Sequence, residues 1–355
     1  MLILLLTGGL FLFVAYCMST NDCQHNTTAP IHPMKAIRKC EYGSLTLREV
    51  EKPTPTDDQI LVRVHAASLN AADGHLLRGM ILMRPMGGLR KPKDTRFGID
   101  CAGTVEAVGK NVTQFKPGDA VFGAARGAVA EYVCASEKML VTKPDNITFE
   151  QAGSVAVAGL TALQGLRNQG NIQPGQKVLV NGASGGVGTF AVQIAKAFGT
   201  EVTAVCSPQN LEQARKMGAD HVVDYTKEDF TKDSQRYDVI FDNVGNHSIA
   251  ERRRVLTPNG ICVLAGMGSA GKHEGQMARL AGNMRAFALS PFMAQKFKPY
   301  IGKLLKDDLI VLRDLMKEGK VKPVIDRQYR MSETAEALRY LDEGHARGKV
   351  VVQIE

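Results

Sequence analysis

The sequence predicts an α/β protein of two domains, one β-rich and one in which strands alternate with helices around a mainly parallel sheet. Three observations predict it. The chain has 355 residues, more than a single core usually organises, since cores stop growing near roughly 250–300 residues. From Lys35 to about Lys143, strand-forming runs such as "QILVRVHAASL" are separated by turn chemistry such as "FKPGDAV". From about Ala156, short apolar runs and helical patterns alternate, the signature of βαβ units covered on both faces.

The first residues stand apart. "MLILLLTGGLFLFVAYCM" is apolar and uncharged, yet slightly shorter than the roughly 20 residues that span a bilayer. It also lacks the basic start of a secretory signal. Ser19 to Pro33 read as a polar linker, and the globular pattern begins at Met34. Residues 1–33 are a single membrane anchor, an atypical signal, or an extension the working protein does not need. Membrane contact is expected only for a retained anchor; otherwise the location expected is cytoplasmic. The seven cysteines, Cys17, Cys23, Cys40, Cys101, Cys134, Cys206 and Cys262, are odd in number, widely spaced and free of C-x-x-C. Reduced thiols are expected, with neither a disulfide framework nor a thiolate metal cluster. The net charge of +8 is scattered and not interleaved with aromatics, so nucleic acid is not expected as a partner. A phosphate-bearing small molecule suits the same charge.

The elements follow in order. "FGIDCAGTVEAVG" and "GDAVFGAARGAVAEYVCA" continue the β-rich unit. Then come "GLTALQGLRNQG" (helix), "QKVLVNGA" (strand), "GGVGTFAVQIAKAFG" (helix), "EVTAVC" (strand), "NLEQARKMGA" (helix), "HVVDY" and "YDVIFDNVG" (strands), "SIAERRRVLTPNG" (helix) and "ICVLAGMG" (strand). After "FMAQKFKP", the helices "DDLIVLRDLMKEG" and "SETAEALRYLDEG" flank "VKPVIDRQY", and "GKVVVQI" is the last strand. These final strands are expected to return to the first domain.

The most informative segment is "KVLVNGASGGVGTFAVQIAKAFG". A strand runs into Ala183-Ser184-Gly185-Gly186-Val187-Gly188, and a helix follows. This is a dinucleotide-binding glycine turn with its first glycine replaced by Ala183; the helix N-terminus receives a phosphate. The next strand ends in Cys206-Ser207, where NAD-binding chains carry an acid for the ribose 2′-hydroxyl. With Ser207 there, and Tyr225 ending the following strand, NADP(H) is expected over NAD(H), which stays possible.

With these segments in order, the chain resembles the medium-chain dehydrogenase/reductase superfamily, in its zinc-independent quinone oxidoreductase-like branch. "SLNAADGHLLRG", "FGIDCAGTVEAVGKNVTQFKPGDAVFG", "NGASGGVGTFAVQIAKAFG" and "GHARGKVVV" carry the resemblance. It implies a GroES-like catalytic domain from residues 34–155 and 301–355, a Rossmann domain from 156–300, a homodimer, and an active site between the domains. Zinc-dependent relatives place a His-Glu pair where this chain has Ile99-Asp100, and a cysteine near Asn70, so no metal site is expected. The resemblance makes Asn70 a catalytic candidate, its amide holding a carbonyl oxygen; His75, which stands where many members carry an aromatic, is the second, because an imidazole can give a proton at neutral pH. Thr161, at the family's nicotinamide-ribose position, Asn243 and Gly266, which end later strands on the side where such sheets bind ligands, and Lys349 join the glycine turn, Ser207 and Tyr225 as cofactor contacts. Met80, Met83 and Met86 are expected to offer an apolar wall for a flat substrate. The activity implied is NADP(H)-preferring hydride transfer to a quinone or an α,β-unsaturated carbonyl. A metal-free alcohol or aldehyde dehydrogenase, and an NADPH-binding regulatory or structural protein with little turnover, are the alternatives.

Overall fold

The computed structural model describes Cys23 and residues 30–79, 90–265 and 294–354. All of the apolar leader, the three methionines of the 80–89 segment and Gly266 lie outside them. Among the described residues no helix is long and apolar enough to cross a membrane.

The chain opens with a hairpin, β1 (Pro33–Glu41) and β2 (Ser44–Glu51). Then follow β3 (Gln59–Leu69), α1 (Ala71–Arg78), β4 (Asp100–Val108), β5 (Ala120–Ala124), β6 (Tyr132–Ser136), β7 (Leu140–Thr142) and the one-turn α2 (Phe149–Ala152). α3 (Ala156–Leu163) leads into the parallel-sheet unit. That unit holds β8 (Lys177–Asn181), α4 (Gly186–Ala197), β9 (Glu201–Cys206), α5 (Leu211–Lys216), β10 (His221–Asp224), β11 (Tyr237–Asp242), α6 (Ile249–Arg254), β12 (Leu256–Ala265) and β13 (Lys296–Tyr300). α7 (Lys306–Lys317), β14 (Ile325–Arg330), α8 (Thr334–Asp342) and β15 (Lys349–Gln353) complete the chain.

Two larger sheets result. The first runs β14-β15-β3-β4-β5-β7, with β6 also on β3. Its C-terminal strands join as expected: β15 lies antiparallel to β3, Val350 opposite Leu69. The second runs β10-β9-β8-β11-β12-β13, and each neighbouring pair is parallel. Its central strands are apolar on both faces, as Val178, Leu179 and Val180 show by their complete burial, because helices cover both sides. The strand order reverses between β8 and β11, and such a switch point opens a crevice at the strands' carboxyl ends.

Three expectations are corrected. The helix expected over "SIAERRRVLTPNG" stops at Arg254, and Leu256–Gly260 already belong to β12; its three consecutive arginines give the pattern a helical look that Pro258 and Gly260 cannot sustain. A sixth parallel strand, β13, went unassigned because "KFKPY" buries only Phe297 fully and carries a proline, which an edge strand tolerates. Cys23 and Cys40 are disulfide-bonded, tying the linker to β1. Reduced thiols were expected for both. Cys101, Cys134, Cys206 and Cys262 are free.

Candidate active site

The site forms where both ends of the chain meet. β3 ends at Leu69, and Asn70 follows as the N-cap of α1. Its backbone N–H donates to the Asp73 carboxylate at 2.8 Å, which stops the strand and starts the helix. β4 begins with Asp100, opposite Ser68. Because β15 pairs with β3 from Val350↔Leu69 onward, its first residue, Lys349, arrives beside Asn70.

These side chains bond to one another. Asp100 Oδ2 accepts from Ser68 Oγ at 2.9 Å, from Asn70 Nδ2 at 3.0 Å and from Lys349 Nζ at 3.2 Å. Asp100 Oδ1 accepts the Val157 N–H at the start of α3, 2.9 Å away. Lys349 Nζ also donates to Asn70 Oδ1 at 2.5 Å. The Asp100 and Lys349 side chains are 0% and 2% exposed. A buried carboxylate is costly unless paired and hydrogen-bonded, and this one has both oxygens hydrogen-bonded and a cation beside it. The Lys349 stem lies against the glycine turn: a Cβ placed on Gly186 comes 3.1 Å from its Cδ. The ammonium thus points inward to Asn70 and Asp100, and the stem alone borders the expected cofactor position.

Asp73, also buried, has its pKa raised to about 7, first by burial and further by the Asp100 charge, with the Asn70 N–H and the Lys349 and Lys39 charges opposing. Cys101 is pushed up to about 12 by burial and then by the Asp100 carboxylate. It is a protonated core thiol at neutral pH, neither nucleophile nor redox centre. His75 sits half-buried on α1, two residues beyond Asp73.

The glycine turn has the shape a dinucleotide needs. Gly182, not Ala183, provides the left-handed turn, at φ +83°; Ala183 is buried and its N–H bonds the Val205 carbonyl. The missing first glycine of the pattern is therefore present one residue earlier. A Cβ on Gly188 would come within 2.0 Å of the Gly182 carbonyl oxygen, so only glycine lets helix and strand approach here. The twelve-residue α4 starts at Gly186, is N-capped by Gly185, and has no side chain capping its N-terminus. Those N–H groups, beside the partly exposed Ser184 and Val187, fit a pyrophosphate.

Of the remaining candidates, Thr161 lies within α3 and the others follow the ends of strands. Thr161 Oγ1 donates to its own helix at Val157 O, 2.7 Å away, keeping its acceptor side for a ligand. Ser207 follows β9 and accepts from Asn210 Nδ2 at 2.9 Å. Tyr225 follows β10, bonds the Cys206 carbonyl through its N–H, and is 57% exposed. The charge of Arg215 lies near enough to oppose the rise of the Cys206 pKa, so a cation stands by the end of β9. Asn243 follows β11, its N–H on the Asn181 carbonyl.

Sequence reading missed a second buried cluster at the switch point. Asn181, ending β8, donates to Asp242 Oδ1 and to Asn246 Oδ1, both at 2.9 Å. Asp242 Oδ1 also accepts the Val244 and Gly245 N–H groups. Arg252 lies 2.6 Å from Asp242 Oδ2, an ionic contact outside hydrogen-bond angles. An arginine inside a run of three carries no sequence signal of burial.

Two family models match the chain: an alcohol dehydrogenase GroES-like domain over residues 56–145 and a zinc-binding dehydrogenase over residues 217–352. The NADPH-dependent alkenal/one oxidoreductase of Arabidopsis thaliana chloroplasts is 33% identical over 90% of this chain and 79% of its own length. The chain belongs to the medium-chain dehydrogenase/reductase superfamily. Within that superfamily, a chloroplast envelope quinone oxidoreductase homolog of the same plant is 33% identical over 90% of this chain and 98% of its own. The solved quinone oxidoreductase of Coxiella burnetii superposes with a TM-score of 0.77 at 30% identity, covering 91% of this chain and all of the other. Like other members, this chain is an oxidoreductase that uses a nicotinamide cofactor.

Zinc, which one of the two family descriptions names, does not fit the donors. Asp100 has given its oxygens to Ser68, Asn70, Lys349 and Val157. Among the described residues no three of His, Cys, Asp and Glu gather as metal ligands, and zinc takes at least three from the protein.

Proposed function

We propose that this chain is an NADP(H)-preferring, zinc-independent reductase of quinones or α,β-unsaturated carbonyls. One observation carries the reading: among the described residues Asn70 spends one amide N–H, on Asp100, and keeps one for a ligand, in a buried site beside the glycine turn. The bound cofactor supplies a hydride. Asn70 holds the acceptor's carbonyl oxygen, and its N–H stabilises the negative charge that grows there as the conjugated acceptor is reduced. A conjugated acceptor spreads that charge and needs no Lewis acid. His75 gives the proton that completes the reduction. Ser184 to Gly188 receive the pyrophosphate, and Thr161 and Asn243 position the nicotinamide half. Ser207, Tyr225 and the nearby Arg215 charge support the 2′-phosphate reading, as does the NADPH named for the Arabidopsis alkenal/one oxidoreductase. A homodimer is proposed from the family likeness, and light scattering after gel filtration tests it.

The test follows NADPH and NADH absorbance separately against quinones, enones, saturated aldehydes and alcohols, with and without chelator. Turnover of quinones or enones with NADPH, unchanged by chelator, is expected. Loss of activity on chelation with the fold intact sinks the zinc-free part. Steady oxidation of saturated alcohols points instead to the dehydrogenase alternative, and binding without turnover to a regulatory protein.

A further inference from the structure

Asn70 is clamped at both ends of its amide. Its oxygen accepts from Lys349 Nζ at 2.5 Å, and its nitrogen donates to Asp100 at 3.0 Å. Turning the amide over would set N–H against ammonium and oxygen against carboxylate. The two charged residues therefore permit one orientation, which fixes the direction of the remaining N–H. Each of the two is anchored to the cofactor half of the molecule: Asp100 through the Val157 N–H at the start of α3, Lys349 through its stem against Gly186 at the start of α4. Their pairing also makes burial of both charges tolerable. We propose that Lys349 and Asp100 are positioning residues, which hold the Asn70 amide in one orientation relative to the glycine turn so that its spare N–H meets the acceptor oxygen. In this account the Lys349 ammonium acts on Asn70 and not on the cofactor. The inference rests on the reading of Asn70 given above.

A double-mutant cycle separates the two. Lys349→Met, at saturating NADPH, is expected to lower kcat about 10–100-fold, because misplacing a positioning group costs on that scale. The NADPH dissociation constant, read from nicotinamide fluorescence, is expected to move less than about threefold. In an Asn70→Ala background the same change costs less than about twofold, since no amide is left to orient. Losses that multiply, or NADPH affinity and thermal midpoint that fall in step with kcat, mark the pair as merely structural and overturn the proposal. A large loss in Asn70→Ala with none in Lys349→Met overturns this inference alone. An Asn70→Ala enzyme with unchanged kcat defeats the Asn70 reading and this inference with it. If Lys349→Met leaves Asp100 unpaired and the chain unfolded, two neutral pairs replace it. Asp100→Asn/Lys349→Gln keeps a donor to Asn70 and is expected to turn over at least about fivefold faster than Asp100→Asn/Lys349→Met, which lacks one. Equal rates in the two overturn the proposal.

Discussion

The molecule buries two clusters of the same composition: an asparagine, an aspartate and a cation. Asn70 stands with Asp100 and Lys349, and Asn181 with Asp242 and Arg252. In both, the asparagine's Nδ2 donates to the aspartate. They differ in what is left over. Asn181 spends both amide hydrogens, on Asp242 and Asn246, and Asp242 further ties down the Val244 and Gly245 N–H groups. No amide N–H of Asn181 is left over, and the cluster fixes the loop after β11. Asn70 retains one N–H, with its amide clamped. The same three residue types build a structural knot in one place and a candidate site in the other, and the asparagine's unspent N–H tells them apart.

The comparison breaks most readily through stability. Arg252→Met leaves Asp242 buried and unpaired, and should cost about 3–5 kcal/mol in urea unfolding, with kcat of the folded fraction little changed. A collapse of kcat without loss of stability would place Arg252 in the chemistry instead. Asn181→Ala is a smaller change, expected to cost about 1–3 kcal/mol because partners lose a donor. At saturating NADPH its kcat should stay within about threefold of wild type.

Asp73 sharpens the comparison by pH. Its folded pKa, about 7, lies above the unfolded value of about 3.9. The folded state therefore binds more protons between those values, and Asp73's contribution to stability falls as pH rises from about 4 to about 7. Asp73→Asn keeps an acceptor for the Asn70 N–H and removes the titration. Its thermal midpoint should gain on wild type by a few degrees between pH 5 and 8, at roughly 2–4 °C per kcal/mol; parallel curves contradict this. The smallest effect is expected at Arg215, where Arg215→Ala should raise KM for NADPH about 3–10-fold and leave KM for NADH alone. Equal changes for both cofactors remove Arg215 from the 2′-phosphate site.

Both sheets were legible in the sequence because their signals are local. Alternating runs and turn residues mark the β-rich half, and a strand, glycine turn and helix mark the other. Asn70 and Lys349 were legible as separate candidates through family likeness. Their contact was not, since it depends on β15 pairing with β3 across 279 residues of chain. Asp100 read only as the place of a lost metal ligand, and its partners come from β3, α3 and β15, which no local pattern connects. The Asn181 cluster was invisible for the same reason. Edge strand β13 was hidden by its lysines and proline.

The central claim is that the unspent Asn70 N–H holds the acceptor oxygen. It is tested by Asn70→Ala, measuring kcat with a quinone or enone and NADPH affinity by fluorescence on the same preparation. The account predicts a loss in kcat of about 100-fold, on the scale of removing one oxyanion donor, with NADPH affinity held within about threefold. An unchanged kcat at unchanged NADPH affinity contradicts it.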